Sequence, residues 1–486
     1  MGAALLSMKR FVLHLAVVLA GLALAPAALA GGPAMVVGAT EDAVRQPTLV
    51  ASKTQMDMLR LAGLDGIRVT QIWTPGQTAP TEGALQVLRN VATAAQLDGV
   101  RITLSITNQG SRTTPLSDED QADFAAYAGA VATVLPSVHE FIVGNEPNLN
   151  RYWMPQYGLD GSDVAAPAYE ALLAKAYDAI KAAAPTALVY GGAVSPRGVD
   201  RPNTGRDTHS PTTFIPDMGN AYRASGRTLP IMDGFAFHPY GDNSSQPPAT
   251  PHAGTSIGLG DYDKLVGLLG TAFDGTPQIG STMPIIYDEY GVETQIPTQQ
   301  VRFYTGREPT TTRPVDEATQ AAYYTQAIDL AFCQPNVRGI FLFHTVDESD
   351  LDRWQSGLYY ANGKPKSSLP AVRLAAQYSR RGIAASCPGL KLQIKARADR
   401  FSTRNAGFGF RLTCDLDCNY RARLEKVATG GTTLSIRGRG VGGQPKQISF
   451  PPRTIAPGRY RFTVSLVAPM DPGLPVVLRS APFRLS

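Results

Sequence analysis

Along residues 35–380, short apolar runs alternate with stretches in which apolar residues recur every three or four positions. The continuous runs read as buried strands and the spaced ones as amphipathic helices. The runs predict strands at 35–38, 66–73, 101–107, 140–148, 187–194, 232–240, 284–290 and 339–345. Between and after them, helices are expected at 54–62, 84–97, 118–135, 166–184, 212–225, 261–273, 317–332 and 367–379. Local signals set the ends: Met58, Leu59 and Ala62 share one face before Gly63 stops the first helix, and Pro185 ends the fourth. Regular strand-then-helix alternation implies a parallel sheet. Eight such units with near-continuous apolar strands imply an α/β fold of the closed (β/α)8 TIM-barrel type. A doubly wound open sheet is the alternative. It often carries a glycine-rich phosphate loop after its first strand, and Gly38-Ala39-Thr40 is not one.

From residue 390 the pattern shortens to period-two runs at 390–394, 408–412, 420–424, 432–436, 460–467 and 476–478, separated by Gly and Pro. This form predicts a small all-β sandwich domain. Charge changes at the same place. Residues 388–486 hold 17 Lys+Arg against 5 Asp+Glu, whereas the rest holds 28 against 35. The expected division is a leader at 1–30, a barrel at 31–387 and a β-domain at 388–486. The basic tail is a candidate for an anionic polymer or cell surface, or simply a solvated face.

The 486 residues, 43% hydrophobic and 17% charged, suit two or three globular domains and argue against long disorder. Lys9 and Arg10, the apolar run 11–24 and Ala28-Leu29-Ala30 before Gly31 form a signal-peptide pattern, with Met8 as a possible start. A membrane anchor is the other reading, but the run is short for a span and ends in a cleavage-like motif. The expected location is therefore secreted or extracytoplasmic. An exported chain with four cysteines suggests two disulfides with three possible connectivities, of which Cys414–Cys418 with Cys333–Cys387 is the one expected. A zinc site lacks a second ligand pair beside the single C-x-x-x-C.

The chemistry lies where two apolar strands end in carboxylates. Phe141-Ile142-Val143-Gly144 runs into Asn145-Glu146-Pro147-Asn148, and Pro284-Ile285-Ile286-Tyr287 runs into Asp288-Glu289-Tyr290. Counted along the chain these are strands four and seven, whose ends face each other across an eight-stranded ring. Each Glu alone reads equally well as a solvated strand end. Together they are placed for glycosidic cleavage, where one group protonates the departing oxygen and the other attacks the anomeric carbon or activates water. Asp288 is a rival carboxylate, which strand alternation should turn the other way.

The Asn145-Glu146-Pro147 motif with Glu289 resembles clan A of the retaining glycoside hydrolases, families 5 and 39 in particular, over residues 35–380. Arg68 at the end of strand two and His238-Pro239-Tyr240 at the end of strand six fit the same pattern. The resemblance implies Glu146 as acid/base, Glu289 as nucleophile, Asn145 on the sugar 2-hydroxyl, and Arg68, His238 and Tyr240 around the nucleophile. It also implies no cofactor, no metal and a carbohydrate substrate. Retention would set the two carboxyl groups about 5–5.5 Å apart. The sequence departs from the clan at strand eight, where Phe341-Leu342-Phe343-His344 stands in place of a Trp; Trp354 or His344 could take that role. Long loops expected after the strands carry aromatics suited to sugar rings, among them Tyr152, Tyr157, Tyr359 and Tyr360. Asp347, Glu348, Asp350 and Asp352 form an acidic loop, either solvated or holding a cation or hydroxyls. His139, His209 and His252 show no ligand spacing, and no nucleic-acid motif is present. A non-catalytic carbohydrate-binding barrel and a transglycosylase using the same glutamate pair are the rival readings.

Overall fold

Parallel pairing runs unbroken from β1 (Val36–Thr40) through β2 (Gly66–Trp73), β3 (Arg101–Asn108), β4 (Glu140–Val143), β5 (Leu188–Val194), β6 (Gly234–Phe237) and β7 (Ile285–Tyr290) to β8 (Val337–Phe343). β8 then pairs with β1, from Val36 opposite Gly339 to Thr40 opposite Phe343, and closes the barrel. The structure is a computed structural model that describes residues 31–384, 387, 394, 396–403, 407–442, 444–450, 455–468 and 475–485. The leader at 1–30 lies outside the described residues, and of the strand expected at 390–394 only Ile394 is described. Among the described residues no helix is long and apolar enough to cross a membrane.

Alternation along each strand divides the core. Val36, Ile142, Tyr190, Ala236, Ile286 and Phe341 form one buried cluster within the ring. Their neighbours in sequence, such as Val37, Phe141, Val189, Phe235, Ile285 and Leu342, join the larger shell beneath the helices. Large rings fill the interior where glycines make room. A Cβ on Gly38 would lie 2.7 Å from the Phe341 ring, and one on Gly234 would lie 2.6 Å from Tyr190. Burying a ring of that size contributes roughly 1.5–3 kcal/mol, so these glycines are part of the barrel's packing.

The outer helices are α1 (Leu49–Leu61), α2 (Glu82–Asp98), α3 (Asp118–Val134), α4 (Ala165–Ala183), α5 (Pro211–Ala224), α6 (Tyr262–Phe273), α7 (Glu317–Cys333) and α8 (Leu369–Arg380). α1 begins five residues before the expected start. Thr48 caps it by accepting from the Ala51 amide, while Leu49 and Val50 are exposed and break the apolar spacing. β4 stops well short of the expected residue 148, because Gly144 (φ 85°) and Glu146 (φ 42°) leave extended geometry.

Two antiparallel sheets follow. One has the order β13 (Lys446–Phe450), β10 (Gly407–Cys414), β9 (Ala396–Thr403); the other runs β12 (Thr432–Gly440), β11 (Cys418–Lys426), β14 (Gly458–Val467), β15 (Val476–Arg479), with β16 (Phe483–Leu485) also on β14. Phe410 and Phe450 of the first sheet pack on Phe462 of the second, at ring separations of 5.2 and 5.3 Å. Cys414 and Cys418 are bonded across the turn that links the sheets. Cys333, at the end of α7, is bonded to Cys387, beyond α8.

Candidate active site

The end of β4 is bent by backbone that side chains rarely adopt. At Gly144 a Cβ would lie 2.9 Å from the Tyr169 ring, so the close turn needs glycine. The Tyr169 hydroxyl donates to Val143 O at 2.6 Å and accepts from the Gly192 amide at 2.7 Å, pinning the ends of β4 and β5 together. Glu146, in a left-handed conformation, donates its amide to Ala193 O at 2.8 Å, and Ala193 is itself left-handed (φ 47°). Two non-glycine residues held this way at one rim store strain, a common feature of functional sites. Asn148, fully buried, accepts from the Ser195 amide at 2.9 Å and donates to His209 O at 2.9 Å, so it fixes the loop and faces no ligand.

β7 carries a second irregularity. Between Tyr287 and Tyr290 its pairing with β8 slips, so that three steps on β7 match two on β8. A bulge of this kind re-aims side chains, and it corrects the expectation for Asp288. Strict alternation would turn Asp288 away from Glu289. Instead both carboxylates meet the same cations, with Asp288 wholly buried beneath Glu289.

Those cations are Arg68 and His238. Arg68 lies early in β2 rather than at its end, and its guanidinium spans the distance. Nη1 donates to Glu289 Oε1 at 2.9 Å, Nη2 donates to Asn145 Oδ1 at 2.8 Å and Ser105 Oγ at 3.3 Å, and Nε is 3.6 Å from Asp288 Oδ2. His238, directly after β6, places Nδ1 3.0 Å from Glu146 Oε1 and 3.5 Å from Glu289 Oε2, and Nε2 3.2 Å from Asp288 Oδ2. Tyr240 donates its hydroxyl to Glu289 Oε2 at 3.1 Å.

The charges settle accordingly. Burial lowers the His238 value, but Glu289 and Asp288 more than offset this, so the ring sits well above its ordinary value as an imidazolium that donates from both nitrogens. Burial likewise opposes the charge of Arg68, and the same two carboxylates outweigh it. Asp288 is pushed up by burial yet held below the ordinary value by His238 and then Arg68. Glu289 is raised: burial pushes it up and the charges of Glu146 and Asp288 add to this, against the pull of His238 and Arg68. Tyr240 stays a neutral donor, since burial and then the charges of Glu289 and Glu146 raise it well above its ordinary value.

An aromatic wall closes one side. The Trp354 ring is 5.0 Å from Tyr240 and 5.2 Å from Phe343, the last residue of β8. His344 turns elsewhere, with Nδ1 2.9 Å from Thr40 O. A cleft of about 180 Å³ beside Tyr240 and Trp354 is lined also by Arg197, Asn243, Glu293 and Thr312. Burial lifts the Glu293 carboxyl to about 8. In the acidic loop, Asp347 is buried and accepts from Lys366 Nζ at 2.8 Å and from the Tyr304 hydroxyl at 2.7 Å. It is internal scaffolding, not part of an open acidic cluster.

Arg68, Asn145, Glu146, His238, Tyr240 and Glu289 therefore come together as one bonded network, with Trp354 at its edge. Ser105 was not anticipated in it. Ser105 is an inward polar residue on a barrel strand, a legible signal. Tyr152, expected as a loop aromatic suited to a sugar ring, is raised by burial first and then by the charges of Glu146 and Glu289.

No family model matches the chain, and no curated protein matches it in sequence. Among solved structures the chain is similar to a family 39 glycoside hydrolase from the gut symbiont Bacteroides cellulosilyticus WH2, at 16% identity and TM-score 0.53, covering 84% of this chain and 79% of that one. It is also similar to a glucosidase from Croceicoccus marinus, at 11% identity and TM-score 0.50, covering 87% of this chain and 94% of that one. At such identities the likeness is one of fold.

Proposed function

We propose that the chain is a secreted, retaining O-glycoside hydrolase that cleaves β-glycosidic bonds in oligo- or polysaccharide, with Glu146 as acid/base and Glu289 as nucleophile. One observation carries this reading. Carboxylates from opposite sides of the barrel share one nitrogen, His238 Nδ1, at 3.0 and 3.5 Å, so the two oxygens are at most 6.5 Å apart. A span that short favours attack by one carboxylate over the wider gap, about 6.5–9.5 Å, that admits a water.

The surroundings support the division of roles. Glu289 receives Arg68 and Tyr240 and faces His238, donors that favour its ionised form at the moment of attack. In the first step a Glu289 oxygen bonds to the anomeric carbon, the carbon–oxygen bond to the leaving group breaks, and Glu146 gives that oxygen its proton. In the second, water passes a proton to Glu146, its oxygen bonds to the anomeric carbon, and the ester to Glu289 breaks. Asn145, held by Arg68, is placed for the sugar 2-hydroxyl, and Trp354 for a ring face. The leader pattern and the two disulfides support export. In this reading residues 31–387 are the catalytic barrel and 388–486 an accessory β-domain.

A screen of aryl β-glycosides and polysaccharides would identify a substrate. On it, Glu146→Gln is expected to lose about 10²–10⁴ in kcat with natural leaving groups, and Glu289→Gln to lose more. Mass spectrometry of a slow substrate should find the sugar on the peptide containing Glu289. Full activity in both variants would overturn the assignment of the glutamate pair, sugar binding without turnover by the wild type would leave a non-catalytic barrel, and a product of inverted anomeric configuration would overturn retention. With an acceptor sugar present, transfer in preference to hydrolysis would make the enzyme a transglycosylase.

A further inference from the structure

The five-stranded sheet turns an unusually one-signed face to solvent. Alternation on β11 buries Tyr420, Ala422 and Leu424 and turns Arg421 and Arg423 outward. On β12 the outward positions include Arg437 and Arg439. The register sets Arg421 directly opposite Arg437 and Arg439 opposite Asn419. On β14 and β15 the same face continues with Arg461 and Arg479, opposite Glu425 and Thr463. Glu425 is the one acid among these positions, and it accepts from the Thr463 hydroxyl at 2.8 Å.

Like charges directly opposite each other in a sheet destabilise it. Arg421 shows this: Arg437 first and then Arg423 hold its guanidinium below the ordinary value. Among the described residues, the four arginines of β11 and β12 have no carboxylate within ion-pair distance; the one side-chain bond is from Arg421 Nε to Ser435 Oγ at 3.4 Å. Charges on an edge strand can serve merely to block pairing with other chains. That accounts for β12, which is an edge, but not for Arg421 and Arg423, which lie on an interior strand.

We propose that the outer face of the β12–β11–β14 sheet binds an acidic polysaccharide, with Arg421, Arg423, Arg437 and Arg439 pairing its carboxylate or sulfate groups. Same-face residues on one strand stand about 7 Å apart and neighbouring strands about 5 Å, so the guanidinium groups form a flat lattice that an extended glycan can cross. Guanidinium forks match carboxylate geometry. Asn419, Ser435 and Ser465 lie between them and can bond sugar hydroxyls. The outward positions carry no aromatic ring, which disfavours single-stranded nucleic acid, whose bases need stacking platforms.

The test is retention of the full chain on polygalacturonate against a neutral galactan, with single-stranded DNA and anionic phospholipid vesicles as competitors. The wild type should hold polygalacturonate at least tenfold more tightly than galactan, and less tightly as salt rises. The Arg421→Gln, Arg437→Gln, Arg439→Gln triple variant should lose at least tenfold in retention. Arg421→Glu separates binding from folding. It places a carboxylate opposite Arg437, so its melting midpoint should hold or rise while retention falls. A wild type that ignores polygalacturonate, a triple variant that binds like wild type, or DNA or vesicles held as tightly as the glycan would each overturn the proposal.

Discussion

Replacing Arg68 by Met would separate the electrostatic design of the site from its shape. The thioether fills much of the same volume, but the change removes a buried charge that contacts Glu289 at 2.9 Å and Asp288 at 3.6 Å. At an effective dielectric of about 20, each such contact is worth on the order of 5–6 kcal/mol before desolvation. Removing one partner of a buried pair typically costs about 3–5 kcal/mol net. The cost should depend on pH, and its sign follows from linkage. Glu289 is already raised by burial, and both carboxylates lose a cation that lowers them. The folded variant then holds protons to higher pH than its unfolded chain, so its stability falls as pH rises through that interval. The penalty should be smaller near about pH 4.5, where the unfolded Glu itself titrates and only the contact with Asp288 is still lost, and approach the full 3–5 kcal/mol above about pH 8. The assay is denaturant unfolding of both proteins at the two pH values, alongside the pH profile of kcat/KM. The acid limb, which reports ionisation of the nucleophile in the free enzyme, should move up by about 1–3 units. A penalty equal at both pH values, or an unmoved acid limb, would refute the assignment of Arg68 as the counterion of Glu289.

Glu293 is lifted by burial to about 8, so it destabilises the fold as pH rises from about 4.5 through 8. Glu293→Gln should therefore be more stable than wild type at about pH 9 by on the order of a few kcal/mol, with little difference at about pH 4; thermal melts at both values check this. Gly144→Ala places a methyl 2.9 Å from the Tyr169 ring at φ 85°. It should cost about 1–3 kcal/mol and lower kcat by moving Glu146; an unaltered melting point and kcat would show that the turn is adaptable. Cys387→Ser opens a bond with a sequence separation of 54. Chain entropy puts the loss at about 4 kcal/mol, measured by denaturant unfolding; reduction of the wild type, which also opens Cys414–Cys418, should cost at least as much.

Individual residues show why some of this was legible and some not. The barrel followed from periodicity, because a strand buried on both faces must be apolar throughout and a surface helix must be apolar on one side. Glu146 and Glu289 stood out because a carboxylate closing an apolar strand needs a reason, and counting the strands set the two across from each other. Asp288 was misjudged. Alternation holds only while pairing is regular, and the slip between β7 and β8 is a property of two strands together. Arg68 was recognised as a partner but placed at the strand end; a long side chain reaches the site from early in β2. The basic composition of the C-terminal region was plain, whereas the opposition of Arg421 and Arg437 required a strand register.

By itself, then, the sequence determined the alternation of elements and the strand ends that bear carboxylates. These depend on local spacing and on the type of each residue. Only the tertiary structure decided that Glu146 and Glu289 share His238 Nδ1, that Asp288 underlies them as an ionised partner, and that Trp354 rather than His344 lies against Tyr240. Those outcomes depend on distances between residues 50 to 221 positions apart in the chain, and on a bulge and left-handed turns whose stability comes from the surrounding packing.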